Sequence, residues 1–105
     1  MKTGEDIVDV GMYAEEATEH RHYLHAHPEP SFEEHATQQY IIDCLQGLGL
    51  KPSPIANTGV TATVEGTNGS ANNKVLLLRA DIDALRLTEE TGLPFASQNK
   101  GVMHA

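Results

Sequence analysis

Apolar residues recur at helical spacing in the first half of the chain and change to strand-like alternation after residue 50. Ile7, Val10, Ala14, Ala17 and Leu24 fall on one helical face, which leaves Glu15, Glu16 and Glu19 toward water. Thr3-Gly4-Glu5-Asp6 has the form of a helix start, with a hydroxyl and a carboxylate placed to satisfy free backbone N–H groups. Pro28 and Pro30 stop this helix, because neither donates a backbone hydrogen bond and each restricts the residue before it. Ser31-Phe32-Glu33-Glu34 reads as a capping box for a second helix. Thr37, Ile41, Leu45 and Leu48 form the buried stripe of that helix, and Gly47 or Gly49 can close it in the left-handed conformation.

Val60, Ala62 and Val64 alternate with Thr61, Thr63 and Glu65, the pattern of a half-buried strand. The polar stretch Thr67-Asn68-Gly69-Ser70-Ala71-Asn72-Asn73 predicts a mobile turn. Val75-Leu76-Leu77-Leu78 is apolar on both faces, as a central strand covered on each side would be. The expected fold is therefore α/β: two N-terminal helices packed on a small mixed sheet from residues around 51–55, 60–66 and 74–80. A short helix or turn is expected near 86–91.

Composition narrows the class. With 105 residues, 39% of them hydrophobic and 21% charged, the chain reads as one domain or part of one, with no second domain and no membrane span. Fifteen acids against seven bases give a net charge of −8, which argues against nucleic acid, whose phosphates demand a basic face. The opening Met1-Lys2-Thr3-Gly4-Glu5-Asp6 lacks the basic end and apolar stretch of a secretion signal, so a cytoplasmic location is expected. Cys44 is the single cysteine and lies in an apolar helical pattern, where a buried structural thiol is the plain expectation.

Three groups of residues could carry chemistry. His20, His22, His25 and His27 crowd one helix end, and His22 and His25 are close enough to share a face, so a metal pair is conceivable. The alternative is a polar helix end in which imidazoles interact with the helix dipole. Asp81 and Asp83 are two residues apart, so on an extended strand both point to one side of the sheet. They could orient a metal-bound His, hold a water or bind a divalent ion, or Asp83 could simply cap a following turn. Arg79 could neutralise either acid under both readings. His104, alone, would be an ordinary surface histidine in a frayed end.

Taken together, LHAHPEPSFEEHAT at 24–37, TGVTATVEG at 58–66, LLLRADIDAL at 76–85 and EETGLPFASQNKGVMHA at 89–105 resemble the metallo-amidohydrolase family. This is the hippurate hydrolase, N-acyl-amino-acid amidohydrolase and indoleacetyl-amino-acid hydrolase branch of the aminoacylase and carboxypeptidase superfamily. The resemblance runs from about residue 7 and implies that residues 1–105 are the N-terminal portion of a metallopeptidase-like catalytic domain. It further implies metal-assisted amide hydrolysis of N-acyl amino acids by a divalent pair of zinc, manganese or cobalt. In the family a Cys-Gly-His-Asp segment, whose Cys and His are ligands, follows the Met-His-Ala seen at 103–105. This chain is accordingly expected to hold no metal and to be inactive alone.

Asp83 matches the family's active-site Asp, which orients a ligand from behind the metal centre. Asp81 matches the position where related carboxypeptidases carry a metal-binding His and is not assigned as a ligand, while Arg79 and His104 are placed near the site. Arg86 stands where the family usually has Pro, and Lys100 where Pro often precedes Gly, so two loops depart from the pattern. Two further readings compete with the enzyme fragment. One is a self-associating, non-catalytic module, since a strand as apolar as Val75–Leu78 needs neighbours. The other is adventitious metal binding through His20, His22, His25 and His27.

Overall fold

The computed structural model describes residues 9–67 and 74–105. A 3₁₀ turn at Val10–Tyr13 leads into α1 (Ala14–Ala26), followed by α2 (His35–Gly47), β1 (Ser53–Ile55) and β2 (Gly59–Thr61). The helix start expected at Thr3 and, of the turn expected at 67–73, residues 68–73 lie outside the described residues.

Helix α1 begins with Glu15 and Glu16 in its first turn, where negative charge suits the helix dipole, and ends one residue before Pro28 can interfere. Its expected apolar stripe is not buried at the N-terminal end: Val10 is 74% exposed and Ala14 and Ala17 face solvent. No described element covers that face. The C-terminal half is anchored instead, since Ala26 is buried, Gln98 N donates to Ala26 O and Asn99 Nδ2 donates to Pro28 O. The two helices meet where Tyr23 stacks on Tyr40 at 4.2 Å, with the Tyr40 hydroxyl 2.5 Å from His20 Nδ1.

The start of α2 corrects the capping-box expectation. Phe32 adopts a positive φ of 65°, and neither Ser31 nor Glu34 caps the other. Glu33 pairs with Arg86 instead, and the capping acceptor comes from the preceding loop. The Glu29 carboxylate receives Thr37 N at 2.5 Å, Ala36 N at 3.2 Å and the Thr37 hydroxyl at 2.7 Å. Glu34, itself buried, accepts from the buried Thr58 hydroxyl at 3.0 Å and so ties α2 to the strands. At the other end Gly49, with φ +85°, closes the helix as expected, Leu50 N reaching back to Leu45 O. Thr37 is buried in the expected stripe, whereas Leu48 is 71% exposed.

β1 and β2 pair antiparallel in the register Ser53 to Thr61, Pro54 to Val60 and Ile55 to Gly59. The turn passes through Ala56 and Asn57 at positive φ, and Gly59 is required because a Cβ there would sit 2.8 Å from Ile55 O. Gln38 fastens the hairpin to α2 by donating to Asn57 O and Gly59 O. The fold class is as expected, two helices over a small sheet, but the sheet is a two-stranded antiparallel hairpin and not mixed. The third expected strand, 74–80, has no regular structure, and Val75, Leu76, Leu77 and Leu78 are 93%, 83%, 83% and 85% exposed. A central strand exists only where neighbours supply ladder partners and cover, and the described residues supply neither.

Segments 29–30, 84–85 and 102–103 cross near the end of α1. Ala84 N donates to Glu29 O, and Leu85 and Met103 exchange two main-chain hydrogen bonds of 2.9 Å. Among the described residues Ala84, Val102 and Ala26 are the buried apolar side chains, with Pro28 fully enclosed. The core is thin, and the radius of gyration of 17.0 Å exceeds the about 13 Å of a compact chain this long. No helix among the described residues is long and apolar enough to cross a membrane.

Candidate functional site

The crossing segments create a cavity of about 240 Å³ lined by Arg21, Leu24, His25, Thr37, Asp81, Ile82 and His104. Helix α1 presents Arg21, Leu24 and His25 at three- and four-residue spacing, so all three reach the same side. Thr37 enters from the first turn of α2, Asp81 and Ile82 from the segment before the Ala84 bridge, and His104 from the segment after the Met103 bridge.

His104 is far from frayed. Its backbone neighbour Met103 is bonded to Leu85, and its Nε2 is buried with no hydrogen-bond partner in the structure. Burial, and next the nearby His25 ring, hold its pKa below the ordinary imidazole value, against the upward pull of the Asp83 carboxylate and a hydrogen bond to the Asp83 main chain.

The four clustered histidines are distributed among separate partners. His20 meets Tyr40, and the Nδ1 of His27 lies 2.8 Å from Tyr23 O. His22 and His25 do share a face, but the residue between them and the solvent is Phe95: His22 stacks on its ring at 3.7 Å and His25 meets it edge-on at 5.6 Å. Arg21 lies over the same ring, 5.5 Å from its centroid. His25 Nε2 is 2.9 Å from Glu89, whose side chain is 4% exposed. The Glu89 carboxylate also receives the Thr91 hydroxyl and Ser97 N. The Thr91 bond, then that of Ser97, outweighs burial and keeps its carboxyl below the usual range.

Asp81 and Asp83 are both solvent-exposed, with Ile82 turned partly inward between them. Arg79 engages Asp81 at 2.8 Å, an exposed pair that contributes little to stability. Asp83 is not among the residues that line the cavity. The structure thus brings Asp81 and His104 together with Arg21 and His25, and leaves Arg79 outside the lining. Among the described residues no three His, Cys, Asp or Glu side chains converge to hold a metal ion, so the residues present do not by themselves fit a metal centre. Glu89 was not foreseeable as a partner of His25, because 64 residues separate them and neither stands in a local motif.

Two helices and an antiparallel hairpin define a small α/β layer, and comparison makes this specific. The chain is 46% identical over 86 residues to N-acetyl-L-cysteine deacetylase of Bacillus subtilis, covering 81% of this chain and 20% of that protein. It is 45% identical to an N-acyl-L-amino acid amidohydrolase of Geobacillus stearothermophilus, covering 81% of this chain and 22% of the relative. In three dimensions it superposes on a dinuclear metal-binding peptidase of the M20 family from Bacillus subtilis with a TM-score of 0.79 and 36% identity, covering 90% of this chain and 26% of that one. No family model matches the chain. By sequence the chain is similar to part of N-acyl-amino-acid amidohydrolases, and by backbone to part of an M20 metallopeptidase, over most of its own length. It spans about a fifth of the length of the curated relatives it matches.

Proposed function

We propose that these residues form the N-terminal portion of the catalytic domain of a metal-dependent amidohydrolase acting on N-acyl amino acids. The observation that carries this reading is the identity of 45–46% to relatives named for deacetylation and for N-acyl-amino-acid hydrolysis. The resemblance implies a divalent pair, zinc, manganese or cobalt, for the complete enzyme, and the described side chains do not gather three ligands for it. The contribution of this chain is a wall of the substrate cavity, with Asp83 near the His104 ring and Asp81 at the rim.

The test has two arms. The purified chain is assayed on N-acetyl and N-benzoyl amino acids with added zinc, manganese or cobalt, and no turnover is expected. The matching 86 residues of the Bacillus subtilis deacetylase are then replaced by those of this chain, and metal-dependent hydrolysis is expected. Turnover by the chain alone would overturn its inactivity. A folded, metal-loaded chimera with no amidase activity would overturn the assignment of function.

A second reading concerns assembly. Four consecutive apolar residues, Val75–Leu78, exposed at 83–93%, favour pairing with a second copy of the chain. Light scattering should report dimers or larger species that dissociate in a Leu77→Lys variant; a clean monomer at high concentration would defeat it.

A further inference from the structure

We propose that His25, held by Glu89, is a nucleophile on the cavity wall, and that the chain cleaves neutral aryl esters of short acids without a metal. The inference is independent of the amidohydrolase reading and rests on one carboxylate–imidazole pair. His25 Nε2 lies 2.9 Å from the Glu89 carboxylate, and the two side chains are 13% and 4% exposed. The same carboxylate receives Ser97 N at 2.8 Å and the Thr91 hydroxyl, which itself accepts from Leu93 N and so has its hydrogen to give. Converging donors are the environment of an ionised carboxylate, which can only accept. The hydrogen of the neutral imidazole is therefore on Nε2, and its lone pair is on Nδ1. Phe95, edge-on to the ring at 5.6 Å and 81°, fixes its plane.

No protein group bonds Nδ1, yet among the described residues His104 Nε2 is the one side-chain polar atom both enclosed and unbonded, so His25 Nδ1 is open to small molecules. The ring lines the cavity, and Arg21, one turn earlier on α1, lines it too. The Arg21 guanidinium lies over Phe95 and 3.2 Å from His22 Nε2, which leaves it further N–H groups for a developing oxyanion. Leu24 and Ile82 give carbon surface suited to an uncharged acyl group, and about 240 Å³ holds it. In the reaction Nδ1 attacks the acyl carbon, the ester C–O bond breaks, and the aryloxide leaves with the electron pair, while the Glu89 charge offsets the acylimidazolium. Water then attacks the acyl carbon, the C–N bond breaks with its pair returning to Nδ1, and the hydrogens of water leave on the acid and the phenol. An amide would need a proton at its leaving nitrogen, and Asp81, held ionised against Arg79, has none to give.

The probe is p-nitrophenyl acetate, given to the purified chain in excess EDTA. Release of p-nitrophenoxide is followed, and quenched samples are mapped by mass spectrometry for acetylated histidine. His35, exposed at the start of α2, is the internal reference. His25 should be acetylated about tenfold faster than His35, because a charge-assisted hydrogen bond orients its ring. Spectra of ¹⁵N-labelled histidine should show the Nε2–H tautomer at His25 in the native chain and lose that preference in Glu89→Gln. His25→Phe should lose most of the p-nitrophenoxide release, with the backbone spectrum as the control for folding. Acetylation of His25 no faster than that of His35 would overturn the proposal without recourse to any variant. An Nδ1–H tautomer at His25 would overturn it as well, and so would undiminished release by a folded His25→Phe chain. None of these results touches the amidohydrolase reading, which is judged by metal-dependent turnover in the chimera.

Discussion

Glu29 is the residue on which the junction of the two helices depends, and its removal gives a quantitative test of the packing described above. Its carboxylate serves two main-chain N–H groups at the start of α2 and the hydroxyl of Thr37, which is 4% exposed. Loss of a capping acceptor costs about 1–2 kcal/mol. Leaving the buried Thr37 hydroxyl without its acceptor adds about 1 kcal/mol. Glu29→Ala should therefore weaken this junction by about 2–3 kcal/mol, which raises amide exchange at Ala36 and Thr37 by a factor of about 30 or more. Glu29→Gln keeps an acceptor oxygen but removes the charge that complements the helix N-terminus, and should lose about 1 kcal/mol.

The dependence on pH follows from the same contacts. Burial pushes the Glu29 carboxyl upward, but the Thr37 hydroxyl, the Thr37 amide and the Ala36 amide together outweigh it and leave the pKa below 4.5. A depressed folded-state pKa contributes stability that is fully present above the unfolded value and lost as pH falls through the folded value. Exchange at Ala36 and Thr37 should accelerate below about pH 4.5 in the native chain and show a much smaller acid response in either variant. Native-state hydrogen exchange by NMR measures both effects, with Thr37→Val as partner in a double-mutant cycle. An Ala36 and Thr37 exchange rate in Glu29→Ala within twofold of native would refute the capping role.

Two further outcomes are expected. Glu89→Gln should loosen residues 89–97 and raise exchange at the Ser97 amide; because the Glu89 pKa is also depressed, by Thr91 first, the native chain should show the same loosening as pH falls below 4.5, and its absence would count against the clasp. Gly49→Ala should lower stability by about 1 kcal/mol through its positive φ alone, since a Cβ there meets nothing within 4 Å, whereas Gly47→Ala in the helix should raise it by about 0.5–1 kcal/mol; urea unfolding followed by circular dichroism reads both, and equal signs would refute the conformational argument.

Much of the local structure was legible in the residues themselves. Pro28 and Pro30 stop α1, Gly49 closes α2, and the Val60 alternation marks a strand, because each depends on near neighbours and on backbone freedoms intrinsic to the residue type. The family, too, was legible from four ordered motifs. The capping box failed for an instructive reason. Ser31 and Glu34 have the right spacing, but Phe32 turns the chain to positive φ, and Glu29 and Thr58 offer competing contacts that no local pattern reveals.

Tertiary structure alone decided which polar residues meet. Spacing placed His22 and His25 on one face, but the approach of Phe95 and Glu89 directs them into packing and a hydrogen bond and not toward a shared metal. His104 would pass for a surface histidine in sequence, and only the Leu85–Met103 bridge turns its Nε2 into the cavity. Val75–Leu78 shows the opposite case: its composition specifies a covered strand, while strand formation needs ladder partners that the described residues do not supply. Local periodicity sets what a segment can become, and long-range hydrogen bonds and burial set what it does.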